Sequence, residues 1–172
     1  MPKTKKLALM AMLTAASLIV FVIEAQIPAP VPVPGVKLGL ANIMTLIAML
    51  ILGRREAGAV LLVRIIMGSM FSGGVSAFLF SVAGGALAYA VMCLTIKLFP
   101  GKLVWIVSVL GAAAHNIGQL AVAIAVTKTL GLLAYAPILI GTAIITGAFT
   151  GLAAMYLNAR LDKVVQRWYN HS

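Results

Sequence analysis

Apolar residues run along this chain in long unbroken stretches, and the basic residues gather at alternate gaps between them. Lys3, Lys5 and Lys6 precede the first stretch, and Arg54 and Arg55 follow the second. Lys97 and Lys102 flank the gap after the fourth, and Arg160, Lys163 and Arg167 follow the last. The other gaps hold only Lys37 and Lys128. Roughly twenty apolar residues cross a bilayer as a helix, and Lys and Arg stay on its cytoplasmic side. The pattern therefore predicts an all-α integral membrane protein, a compact bundle of about six transmembrane helices with N and C termini cytoplasmic. Ten basic residues then lie inside, two lie outside, and Arg64 lies within the membrane. Five or seven helices would move several charges to the outer side.

The stretches predict helices over about 7–25, 38–52, 57–71, 77–98, 103–126 and 137–158. Four prolines at every second position, Pro28 to Pro34, cannot continue a helix because each lacks an amide donor. The outer loop 27–37 is therefore expected to be extended, close to polyproline geometry, and to act either as a rigid spacer or as the cover of a cavity mouth. The second helix is short and is expected to begin beneath that loop. Gly53 to Glu56 reads as a tight inner turn, and Ser72 to Ser76 as an outer break. His115-Asn116 reads as an interruption of the fifth helix, and Pro137 fits the first turn of the sixth. A basic, partly amphipathic tail (159–172) is expected at the inner surface. Residues 1–26 have the basic start of a signal peptide, but Glu24 and Gln26 interrupt its end and no small-x-small site follows, so the segment reads as a retained first helix.

Composition narrows the function. The 172 residues are 63% hydrophobic and 9% charged, too few charges for the exterior of a soluble domain. The chain reads as a single transmembrane domain, 1–172. Its net charge of +10 marks cytoplasmic ends and attracts anionic headgroups rather than nucleic acid. The single cysteine, Cys93, cannot form an internal disulfide, and no metal site is expected. The three acids, Glu24, Glu56 and Asp162, are too dispersed to share a metal. Neither a Walker loop, HExxH nor CxxC occurs. An enzyme is not expected, and neither is a resident cofactor.

The polar residues left in the hydrocarbon form three clusters. Arg64 sits mid-helix, where a charge costs at least ~2.5 kcal/mol unless paired or hydrated. It either snorkels or pairs with Glu24, or it grips an anionic group through its bidentate fork. His115 and Gln119 share a helix face one turn apart, with Asn116 adjacent. They either bond between helices or read a ligand's polar edges. Lys37 at the outer mouth and Asn42 one turn deeper complete a candidate ligand-binding set of Lys37, Asn42, Arg64, His115, Asn116 and Gln119, rimmed by Glu24 and Gln26. Two cations at different depths suit a small anionic guest. Small residues four apart, Ala11 and Ala15, Ala143 and Gly147, Gly147 and Gly151, allow close helix approach. Gly84, Gly85 and Ala88 do the same on the fourth helix.

The basic start and Ala11-x-x-x-Ala15 within TKKLALMAMLTAASLIV, followed by a proline-containing loop, resemble the substrate-binding S component of energy-coupling-factor (ECF) vitamin transporters. The resemblance implies that Ala11 and Ala15 pack against a transmembrane coupling subunit driven by ATPases. The segment VKLGLANIMTLIAMLILGRREAGAVLLVRI, with the later FSGG and SVAGG, resembles a bacterial family labelled Gx transporter or heptaprenyl diphosphate synthase component I, over nearly the full chain. These resemblances imply a multi-pass protein of the bacterial cytoplasmic (inner) membrane that takes up a vitamin- or cofactor-like molecule, with a flavin as one candidate. The alternative is a non-catalytic accessory subunit in polyprenyl diphosphate or quinone biosynthesis, because prenyl synthases use two Asp-rich motifs and this chain has one Asp, Asp162.

Overall fold

The computed structural model describes residues 2–27, 37–72 and 75–170. Among these, six α-helices follow one another: α1 (Lys3–Glu24), α2 (Asn42–Ile51), α3 (Arg54–Ser72), α4 (Val75–Thr95), α5 (Val104–Thr127) and α6 (Ala136–Asn170). Short 3-10 turns at Gly101–Leu103 and Leu130–Tyr135 lead into α5 and α6. The expected proline-loop geometry, the Gly73-Gly74 break and the side chains of the basic tail beyond residue 161 lie outside the described residues.

The core is mainly apolar, around Leu46, Ile47, Val60, Met92 and Val107, but the surface is apolar as well, and several polar groups lie inside. Ser17, Glu24, Arg64, His115, Asn116 and Gln119 are buried, while Met70 is 79% and Ile145 72% exposed. Water would penalise that distribution, whereas lipid tails match it. Spans α1 and α4 are long and apolar enough to cross a membrane, as are the stretches 101–127 and 130–161 that contain α5 and α6. Helix α2 is apolar but shorter.

Helix α5 packs most extensively, lying between α4 and α6. Glycines permit this. A Cβ on Gly147 would stand 2.6 Å from Val109 Cα, and one on Gly151 2.6 Å from Trp105 Cα. Ser108 and Thr150 join their hydroxyls between them at 2.9 Å. Across the other face, a Cβ on Gly118 would stand 2.7 Å from the Ala83 carbonyl oxygen.

The helices differ from the sequence expectation at several points, among them the start of α2 at Asn42 and the end of α4 at Thr95. Helix α5 is continuous through His115-Asn116, because polar side chains leave its backbone ladder intact and the backbone must satisfy itself in a membrane. Helix α3 already begins at Arg54, so the inner turn shrinks to Leu52-Gly53. Gly53 (φ 103°) donates its amide to the Ala48 carbonyl at 3.2 Å and ends α2 in the left-handed conformation. Helix α6 runs unbroken to Asn170 rather than ending near residue 158. At this end Lys6 of α1 and Glu56 of α3 form an ion pair.

Candidate ligand-binding site

The site lies at the end of the bundle away from that ion pair, and it begins with a turn. Glu24, the last residue of α1, is 3% exposed. One carboxylate oxygen accepts the Gly39 amide, and the other accepts the Ala41 amide at 3.3 Å. The Ser17 hydroxyl reaches the Ala41 carbonyl at 3.4 Å. The Lys37 amide donates to Gln119 Oε1 at 3.0 Å. Residues 37–41 are thus folded inward and tied to α1 and α5, which explains why α2 starts only at Asn42. Glu24 was expected on an outer rim, with Arg64 as a conceivable partner. It is instead an internal acceptor for the turn, since carboxylate–amide hydrogen bonds are among the stronger ones. Gln26 stays exposed.

Replacing Glu24 with glutamine tests this. Two amides would lose a charged acceptor, at a cost of about 1.5–3 kcal/mol. The variant is expected to unfold at a lower temperature in detergent, and Glu24→Ala lower still. An unchanged melting curve for both would rule out the tethering role.

Two glycine positions then set the histidine. Gly39 has φ 81°, a left-handed conformation that disfavours a side chain. A Cβ there would also meet His115 Cδ2 at 3.0 Å and Asn42 Nδ2 at 3.2 Å. On the far edge of the ring, a Cβ on Gly84 would meet His115 Cε1 and Nδ1 at 2.8 Å and Gln119 Cγ at 3.0 Å. The imidazole is therefore held between the turn and α4. One residue on, a Cβ at Gly85 would lie 3.4 Å from Arg64 Nη2. Gly84-Gly85, read from sequence as helix packing, makes room for the His115 and Arg64 side chains.

These groups have unmet hydrogen-bonding capacity. Buried atoms without a well-formed hydrogen bond include Arg64 Nε and Nη2, both amide atoms of Asn42, Thr45 Oγ1, Lys37 Nζ and the His115 ring nitrogens, the ring lying against the Gly84 backbone. The Lys37 ammonium sits over the Phe21 ring, 3.4 Å from its centroid. In this interhelical turn, burial pulls the Lys37 pKa from 10.5 down to about 8; Glu24 opposes the shift and Arg64 adds to it.

Five of the six expected residues, Lys37, Asn42, Arg64, His115 and Gln119, are linked through these contacts. Asn116 departs from them. Its amide donates to the Leu139 carbonyl at 2.8 Å and ties α5 to α6. Thr45, one turn beyond Asn42, joins the set and was not anticipated, because a threonine in an apolar helix carries no signal of its own. Glu24 did carry one: an acid closing an apolar helix just ahead of a glycine-containing turn with free amides. Ala11 and Ala15 are exposed. They line an apolar groove of about 360 Å³ between α1 and α3, walled by Met10, Leu18, Val63 and Met67.

Residues 13–157 match the family described as heptaprenyl diphosphate synthase component I. The chain belongs to that family. The matched segment includes all six candidate ligand residues and Glu24, and it begins just after Ala11. This family member is also similar in fold to a solved structure, the S component of a bacterial ECF transporter. The TM-score is 0.51 at 19% identity, covering 98% of this chain and 99% of that one. No curated protein sequence matches it. Among the described residues, no group of three His, Cys, Asp or Glu side chains could hold a metal ion.

Proposed function

We propose that this chain is the substrate-binding, S-component-like membrane subunit of an ECF-type transporter, taking up a small anionic molecule of vitamin or cofactor type. The observation that carries the reading is the convergence of polar atoms with unmet hydrogen-bonding capacity from Arg64, His115, Asn42 and Lys37 inside a lipid-facing bundle. Buried polar groups are normally hydrogen-bonded, and a charge within the membrane costs at least ~2.5 kcal/mol without a partner. An anionic guest supplies acceptors to the guanidinium and ammonium, and its polar edges serve His115, Asn42 and Thr45. A flavin is one candidate, and the residues do not select it over other anions.

In this reading the basic ends face the cytoplasm of a bacterial inner membrane, and the Glu24-tethered turn faces outside. The guest arrives from the outer side, beside Lys37. The chain performs no catalysis. ATP is used by partner ATPases, and Ala11 and Ala15 on α1 meet the transmembrane coupling subunit. Mass spectrometry of the natively purified protein is expected to find one anionic small molecule, together with ECF subunits. Recovery of neither would overturn the proposal.

Ala11→Leu with Ala15→Leu fills the α1–α3 groove from its open side. Co-purification of the coupling subunit and uptake by cells are expected to fall to background, with ligand binding by the isolated subunit retained. Unchanged uptake would remove α1 from the docking surface.

The family description favours a second reading, a membrane accessory to a polyprenyl diphosphate synthase. The acids argue against catalysis by the chain itself: Glu24 holds backbone amides and Glu56 pairs with Lys6, leaving Asp162. A soluble prenyl synthase co-purifying without a small molecule would favour this alternative.

A further inference from the structure

A second groove, separate from the ligand site, runs between α3 and α4 on the bilayer-facing surface. It encloses about 360 Å³, with Gly58, Leu62 and Ile66 on one side and Phe78, Val82 and Ala86 on the other. From Gly58 to Ile66 it extends about 12 Å along α3 at the helical rise of 1.5 Å per residue. Its walls are apolar, and Leu62 is 59% exposed, so a hydrocarbon chain can lie in it.

The groove's mouth is charged. Spacings of three and four residues place side chains on one helix face. Arg54, Gly58, Leu61 and Ile65 follow that spacing along one edge of the groove. Arg55 and Leu62, two turns apart, and Ile66 one turn further, line the other. The two arginines therefore stand on either side of the mouth. The neighbouring Glu56 is paired with Lys6 of α1, which offsets its pull on Arg55. Tyr89 closes the floor: its hydroxyl donates to the Arg54 carbonyl at 2.8 Å, and a Cβ on Gly58 would stand 2.9 Å from its Oη.

We propose that this groove is a phospholipid site: one acyl chain lies between α3 and α4, and an anionic headgroup phosphate rests on Arg54 and Arg55. The charge complementarity selects an acidic lipid over a zwitterionic one, because basic residues near a membrane surface each add attraction to anionic headgroups. The guanidinium fork matches phosphate oxygens better than an ammonium would.

The test mixes the full chain in mild detergent with phosphatidylglycerol or phosphatidylethanolamine of identical acyl chains, followed by native mass spectrometry. Wild type is expected to retain one phosphatidylglycerol, preferred by about tenfold or more. Arg54→Gln with Arg55→Gln should bring the preference near unity while leaving both lipids weakly bound. Val82→Trp, which fills the groove, should lose both. Equal retention by wild type, or an unchanged preference in the double variant, overturns the headgroup assignment. Undiminished retention by Val82→Trp overturns the groove. Ile66→Trp, on the opposite wall, serves if Val82→Trp does not fold.

Discussion

Arg64→Met is expected to raise the melting temperature of the ligand-free protein and to weaken binding of its small molecule by at least a hundredfold. Both effects follow from one fact. The guanidinium is 3% exposed, and its Nε and Nη2 have no partner. A charge within the membrane costs at least ~2.5 kcal/mol unless paired or hydrated, and this relief outweighs the lost attraction of Glu24, whose carboxylate remains bonded to the Gly39 and Ala41 amides. Methionine is flexible enough to fill the space beside Gly85. The same change removes charge-assisted hydrogen bonds to the guest, each worth about 1.5–3 kcal/mol. Two of them correspond to a loss of at least about a hundredfold in affinity.

Arg64→Lys separates charge from geometry. It keeps the charge but loses the fork, so most of the affinity should still disappear. Differential scanning fluorimetry without ligand and calorimetry with the co-purifying molecule read the two effects separately. A ligand-free Arg64→Met that melts lower would make the arginine a structural element. Undiminished affinity would move the site elsewhere.

Gly147→Ala and Gly118→Ala are expected to destabilise the bundle by about 1–3 kcal/mol each, in the range of overpacked cores. The added methyls meet backbone atoms, Val109 Cα at 2.6 Å and the Ala83 carbonyl oxygen at 2.7 Å. A side chain can rotate away, but a helix axis has to shift. Gly141→Ala in the same α6 supplies the control. Nothing lies within 4 Å of its Cβ position, so alanine should be neutral or stabilising by up to about 1 kcal/mol through helix propensity. Thermal unfolding of the three variants in one detergent checks the ranking. Equal effects at Gly141 and Gly147 would show that the α5–α6 contact is looser than these distances require.

The contrast extends to α1. Ala11 and Ala15 have the same four-residue spacing as Gly147 and Gly151, yet the first pair is exposed and the second lies against the α5 backbone. Spacing reports that a helix can be approached closely. It does not report whether the approaching helix belongs to the same chain.

The helices, the membrane-suited surface and the burial of Arg64, His115, Asn116 and Gln119 were legible in the chain itself. Length of apolar run and placement of charge are local properties, and transfer from water to lipid acts on each segment separately. The direction of each polar side chain was not legible. Glu24 turned inward because the amides of Gly39 and Ala41 needed an acceptor, and Asn116 turned towards α6 because the Leu139 carbonyl lay within reach. Gly84 and Gly85 became the wall of a site only once His115 and Arg64 arrived from two other helices. Hydrogen bonds and close contacts between distant segments depend on which helices become neighbours, and packing of the whole bundle decides that.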